Sequence, residues 1–420
     1  MHLVSLIYFT LPSFPANHGD LGIFSGALII LAHSVPLRKR PLYTGIIVGM
    51  WGIASVAGPL MGGVFTDHIT WRWCFYINLP IGAFTVLAIM IFFKPPNRKM
   101  DDTLTARDKL AKFDLIGTAL LLPAVICLLL ALQWGGTQYP WKSARIISLF
   151  CVFGVLAIGF IYVQITSGER ATLPMRILKQ RSIAFGSAVS FCIGCGFLLL
   201  VFFVPLWFQA IQGVSATDSG IRNLPLVLGV TVFSMVAGGG ITAFGLYAPF
   251  GIVGGVLYAL GCGLLASFEV DTGASKWIGY QIIAGAGVGL MMQIPLISAQ
   301  TVLKIEDVPT GTSVMVFVQS LGGALFISVG QNVLSNELVK GLQATNIPGI
   351  DPHAILSMGA TSLKSMFNAQ QLPLVLSAYN EALVKTYYCA TAMAIVGFLA
   401  SFGVEWVSVK GKKIEVAAGA

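Results

Sequence analysis

Long apolar runs alternate with short polar stretches along the whole chain. The runs at 21–35, 43–65, 74–93, 114–133, 146–166, 183–208, 222–244, 247–268, 277–299, 311–334 and 387–407 contain few charged residues. A hydrocarbon core roughly 30 Å thick needs about 20 helical residues, so most of these runs are long enough to cross it. They predict an all-α membrane protein with about eleven spans. An outer-membrane barrel would instead show short segments of strict alternation. Residues 1–16 are apolar but are broken by Pro12 and Pro15. They lack the basic start and small-residue cleavage site of a signal peptide.

The connecting stretches set the orientation. About two thirds of the 25 Lys and Arg residues fall on one side of the eleven-span scheme. They include Arg38–Arg40, six residues in 94–113, four in 167–182, Lys304, and Lys410, Lys412 and Lys413. That side is expected to be cytoplasmic, and an odd number of spans then places the N-terminus outside. Two connections are long. Residues 94–113 form a charged cytoplasmic loop, and 335–386 form an extracellular loop containing Pro348, Pro352 and Pro373. Within the latter, Ile355, Met358, Leu363, Met366 and Phe367 share one helical face. That face fits either a helix lying on the membrane surface or a packed loop helix.

Composition agrees. Of 420 residues, 56% are hydrophobic and 10% charged, and the mean hydropathy is +0.83. A soluble protein of this size needs more charge on its surface. The net charge of +8 resides in loops and does not indicate nucleic acid. Cys192 and Cys195 form a Cys-x-x-Cys, but inside a span, so all seven cysteines read as small apolar residues. No histidine cluster or phosphate-binding Gly-x4-Gly-Lys sequence is present, so the chain does not read as an enzyme and needs no cofactor.

Span 43–65 has an unusual glycine content. Ala54, Gly58 and Gly62 recur every four residues as one small-residue stripe, and Gly45 and Gly49 begin a similar stripe earlier. Pro59 removes one backbone donor and bends the helix. A helix-packing face is the plain reading. A bent, tightly packed helix can also set how two bundles rock.

The series Gly45-x8-Ala54-x3-Gly58-Pro59-x2-Gly62-Gly63 resembles the antiporter motif of the major facilitator superfamily. The sequel from Trp71-Arg72-Trp73 through Asn78-Leu79-Pro80 resembles its fourteen-span drug:proton antiporter branch, especially fungal toxin exporters. The resemblance continues through Phe208–Ala216, Ser219–Arg222, Gly279–Gln281, Gln293–Pro295, Gln319–Ala324 and Gln331-Asn332. It implies two six-span bundles separated by two linker spans. Residues 1–93 would then be an incomplete N-terminal bundle of three spans. Residues 94–182 would hold a cytoplasmic loop, the linker pair and a second loop. A complete C-terminal bundle would fill 183–409, ahead of a cytoplasmic tail at 410–420. Three earlier spans would return the N-terminus to the cytoplasm. The arginine that this branch carries ahead of Gly22 is replaced by Asn17-His18-Gly19-Asp20, a departure that bears on proton coupling.

The resemblance implies a secondary transporter that exports amphipathic organic compounds by alternating access, with protons as the coupling ion. A monomer in the plasma membrane or the vacuolar membrane is expected. The alternative is a non-transporting remnant or mispredicted gene model of such a transporter. No charged residue occupies a span centre, since Asp67, Asp114 and Glu405 lie at or near ends. Neutral amides are present instead. Asn78, Gln209, Gln281, Gln293 and Gln319 are candidates for the substrate path, with interhelical hydrogen bonding as the competing role. The aromatics of 183–208 can line a cavity, face lipid or pack between helices.

Overall fold

The computed structural model describes residues 24–92, 114–168, 171–345 and 367–410, apart from 25, 29, 33, 71, 137, 172 and 369. The loop 94–113, nearly all of the expected surface segment 353–370 and the tail beyond 410 lie outside the described residues. Helical positions within 24–34 precede α1 (Arg40–His68), α2 (Asn78–Phe92), α3 (Leu115–Trp134) and α4 (Ala144–Ser167). Then follow α5 (Arg181–Trp207), α6 (Leu224–Phe244), α7 (Ala248–Leu265), α8 (Ala274–Val302), α9 (Val308–Ala344) and α10 (Leu372–Ser401). Among the described residues, nine helices are long and apolar enough to cross a membrane. The expected spans 21–35 and 43–65 fall in the 24–34 stretch and in α1, where description is partial.

The helix ends follow from local sequence. Proline occupies the first turn of α1, α6, α7, α9 and α10, where its missing N–H costs nothing. Asp114 caps α3 by accepting from the Gly117 N–H at 2.6 Å, and Ser143 caps α4. α5 continues through a π-helical turn, Phe208–Gln212, which ends at Gly213 with φ +68°. A left-handed residue of this kind suits glycine. At the start of α1, Arg40 is buried and donates to the carbonyls of Ala32 and Val35. Its cation thus satisfies the exposed carbonyl end of the preceding helical stretch.

α5 to α10 form one bundle. α5 is packed by α8, α9 and α10, while α8 is packed by α6 and α7. The α8 run Ala284–Leu290 lets backbones meet directly. Gly285 and Gly289 lie against the α6 carbonyls of Leu226 and Val230, and Gly287 lies against the backbone of Tyr258 on α7. Phe203, Trp207 and Phe208 are buried in this bundle, whereas Phe202 faces outward. The Trp207 ring packs at 4.7 Å against Phe268 in a tilted pair and donates its indole N–H to Asn380 Oδ1 at 2.7 Å. Asn380 in turn donates to the Phe268 carbonyl at 2.9 Å.

This polar bracket explains a difference from the sequence expectation. α10 begins at Leu372, inside the expected loop 335–386, and α9 runs to Ala344. Asn380, Glu381 and Lys385 lower the apolarity of this stretch, yet each has partners: Asn380 on Trp207 and Phe268, the other two within the α9–α10 pair. Lys385 Nζ lies 2.6 Å from Glu337 on α9 and 3.4 Å from Glu381.

Two elements lean on the bundle. α1 packs along α6. The α3–α4 hairpin packs on α9, where Asn332 Nδ2 donates to the Leu132 carbonyl. At the opposite end of this hairpin Gln164 joins Asp114 to the Leu173 N–H. A bidentate pair from Arg176 to Asp307, at 3.0 and 2.9 Å, clips the following loop to the α8–α9 connection. The chain after α10 is fastened too. Glu405 accepts from Ser182, Arg181 donates to the Gly403 carbonyl, and the Val409 N–H donates to Gly245.

Candidate functional site

The closest helix approach outside the main bundle is the seam between α1 and α6. A methyl added at Gly45 would lie 2.9 Å from Gln293 Nε2 and 3.0 Å from the Ser234 carbonyl oxygen. Gly49 sits against the Met235 side chain and Gly52 against Thr231. From the other side, the same construction at Gly238 reaches the Pro41 carbonyl oxygen at 2.5 Å. Positions 45, 49 and 52 share one helical face, a glycine track that receives the Met235 and Thr231 side chains of α6 and meets its backbone directly at Gly45.

Ala54 and Gly58 are exposed, and the space around Gly58 is open. At 3.6 residues per turn they lie roughly half a turn away from the 45–49–52 face. The two stripes therefore diverge, and the described contacts of the seam run through Gly52 and not through Ala54. Pro59, Gly62 and Gly63 lie in α1, but their surroundings are outside the described residues.

The five candidate amides do not converge. Asn78 is exposed at the start of α2 and donates weakly, at 3.4 Å, to the Cys74 carbonyl one turn back. Gln209 donates to Ser219 at 2.9 Å. Gln281 is fully buried and donates to the Arg222 carbonyl at 3.0 Å. Gln293, also fully buried, donates to the Ser234 carbonyl at 2.5 Å and lies 3.2 Å from its hydroxyl. Gln281 and Gln293 thus link helices through their N–H groups, while both Oε1 atoms lack a partner. Gln319 is half-buried on α9, and its backbone closes on Gly194 of α5.

Four positions escaped the sequence reading. Gly52, Thr231, Ser234 and Met235 complete the seam, and none stands out in a single sequence because each is an ordinary residue of an apolar helix. Thr44, beside Gly45, is fully buried and its hydroxyl lacks a partner. Gln300, one turn and a half after Pro295, is buried with both amide atoms unpartnered. A glutamine closing an apolar run was visible in the sequence, and burial distinguishes it from a surface residue. Cys192, Cys195 and Cys262 are buried free thiols, while Cys151 is exposed.

Comparison with known proteins bears on this arrangement. Residues 19–327 match the family model described as Major Facilitator Superfamily. A protein of Arthroderma benhamiae named MFS-type efflux pump MFS1 is 59% identical over 403 residues, 96% of this chain and 75% of that one. Efflux pump aunC of Aspergillus niger is 45% identical over 391 residues, 93% of this chain and 74% of that one. The aspyridones efflux protein of Neocamarosporium betae is 46% identical over 402 residues, 95% of this chain and 71% of that one.

Proposed function

Since the chain belongs to the Major Facilitator Superfamily and is a transporter rather than an enzyme, we propose that it exports amphipathic organic compounds by alternating access, coupled to inward proton flow. The observation that carries this reading is the identity of 59% with a protein named as an efflux pump, sustained over 96% of the chain. Placement in the fourteen-span branch, residence in the plasma membrane and a monomeric state belong to the same proposal.

The seam supplies the moving contact. Alternating access needs two bodies that change their angle around a site near the bilayer midplane. α1, seated on α6 through Gly45, Gly49 and Gly52, offers a small-residue face on which the two helices can change their angle. Ala54, Gly58, Pro59, Gly62 and Gly63 are assigned to a second packing face on α1. Gln319, Asn78 and the unpartnered carbonyl ends of Gln281 and Gln293 are assigned to substrate contact. Uncharged acceptors suit neutral or weakly basic ring compounds better than anions.

The test compares cells with and without the gene for accumulation of a panel of dyes and toxic secondary metabolites, with and without a protonophore. Lower accumulation in the expressing cells, reversed by the protonophore, is expected. Equal accumulation of every compound would refute export. Protonophore-insensitive export would refute the coupling alone.

A further inference from the structure

We propose that the seam between the α3–α4 hairpin and the C-terminal half of α9 binds a neutral amphipathic organic molecule carrying an O–H or N–H donor. A cavity of about 500 Å³ opens there, within the size range of small-molecule sites. This site is separate from the amides assigned to the transport path, and its occupancy does not depend on export.

The lining divides into two ends. Trp141 from the hairpin turn, with Val329 and Val333 from α9, provides apolar surface. Asn336, Glu337 and Lys340, the next turns of α9, provide polar surface. Positions 329, 333, 336 and 340 follow helical spacing, so the ligand meets apolar groups first and polar groups toward the helix end.

The chemistry of the polar end selects the ligand. Both carboxylate oxygens of Glu337 are taken by lysines, Lys340 at 2.7 Å and Lys385 at 2.6 Å. Lys385 also lies 3.4 Å from Glu381, so two lysines meet two carboxylates and the charge-balanced rim favours an uncharged molecule. Asn336 uses one of its two Nδ2 hydrogens on the Asn332 carbonyl at 2.9 Å, and its Oδ1 is left to accept a hydrogen bond from a ligand. A donor on an otherwise apolar ring matches this surface, with the ring against the indole of Trp141.

The walls are held in place independently of any ligand. The turn is tight at Gly136, φ +74°, which packs against Trp141 and Asn336. Trp141 stacks on Phe150 at 6.5 Å, and Arg145 covers the Tyr139 ring at 4.7 Å. Two elements joined by these contacts give a preformed cleft, which lowers the ordering cost of binding.

The experiment uses the purified full chain, in detergent and in phosphatidylcholine nanodiscs. The probe is 7-hydroxycoumarin, at a pH where its phenol is neutral, followed by fluorescence against empty nanodiscs. Saturable binding is expected in both media. The comparator 7-methoxycoumarin lacks the donor and should bind roughly tenfold more weakly, the effect of one hydrogen bond. Asn336→Leu should lose a similar factor, while Asn336→Asp, which keeps an acceptor, should retain binding. Val333→Trp fills the cavity without removing a hydrogen bond and should abolish the saturable signal at an unchanged unfolding midpoint. Absence of saturable binding by the wild type, equal binding of the two coumarins, or undiminished binding by Val333→Trp overturns the proposal. So does binding in detergent that disappears in nanodiscs, since lipid would then hold the cleft. The coumarin pair tests the wild type, so the proposal stays exposed even if a variant fails to fold.

Discussion

Gly45→Ala adds one methyl group where α1 meets the α6 backbone directly. The methyl would lie 3.0 Å from the Ser234 carbonyl oxygen and 2.9 Å from Gln293 Nε2, closer than ordinary contact. The carbonyl belongs to the α6 backbone and cannot swing aside. α6 cannot retreat freely, because Gly285 and Gly289 of α8 hold its other side. Gln293 can rotate, but only by giving up its 2.5 Å bond to Ser234. Overpacking of this kind costs about 1–3 kcal/mol, and replacing a helical glycine by alanine returns up to about 1 kcal/mol. The seam should lose up to about 2 kcal/mol. If only one access state closes the seam, the balance of states shifts by up to roughly 30-fold. The assay is the initial rate of dye efflux from preloaded cells, per unit of membrane protein, beside the unfolding midpoint of purified protein. The control is Gly49→Ala, whose methyl meets only the flexible Met235 side chain and should cost little. Wild-type efflux and an unchanged midpoint in Gly45→Ala would refute the reasoning, as would a larger defect in Gly49→Ala.

Gly58→Leu should leave the unfolding midpoint unchanged, because the space around Gly58 is open; loss of efflux at that midpoint supports the second packing face, and normal efflux sinks it. Trp207→Phe strands the Asn380 carbonyl oxygen in a buried site and should cost about 1–3 kcal/mol in stability, read as a lower midpoint. Arg176→Ala breaks an ion pair whose arginine side chain is 48% exposed; the cost should be about 0.2–1 kcal/mol and fade in salt, so a large salt-independent loss would argue for a buried role. Lys142→Cys should react with an impermeant maleimide in intact cells, whereas Lys304→Cys should react only after permeabilisation. Labelling of both in intact cells would overturn the assigned topology.

Much of the helical architecture was legible because bilayer length and apolarity leave a strong imprint on sequence. The boundaries at 335–386 were not, since hydropathy weighs each residue alone. Glu337, Glu381, Lys385 and Asn380 look like loop residues until their partners on neighbouring helices are known. The glycines of α1 were legible as a packing device, but not the face each uses. A four-residue repeat reads as one stripe whether or not it continues an earlier one, and the switch from the Gly45–Gly52 face to the Ala54–Gly58 face follows only from rotation along the helix. The glutamines illustrate a further limit. An amide that bridges helices and an amide that awaits a ligand carry the same letter, and Gln281 and Gln293 do the first with one atom while leaving the other unspent.

The fastening of the chain after α10 has a practical consequence. With Val409 tied to Gly245 and Glu405 tied to Ser182, residues 403–410 have no independent swing and ride on the ends of α5 and α6. A fluorophore placed at Lys410 would therefore report the tilt of the α5–α10 bundle, and its distance to a dye at exposed Arg38 would follow any movement of α1 against that bundle in real time.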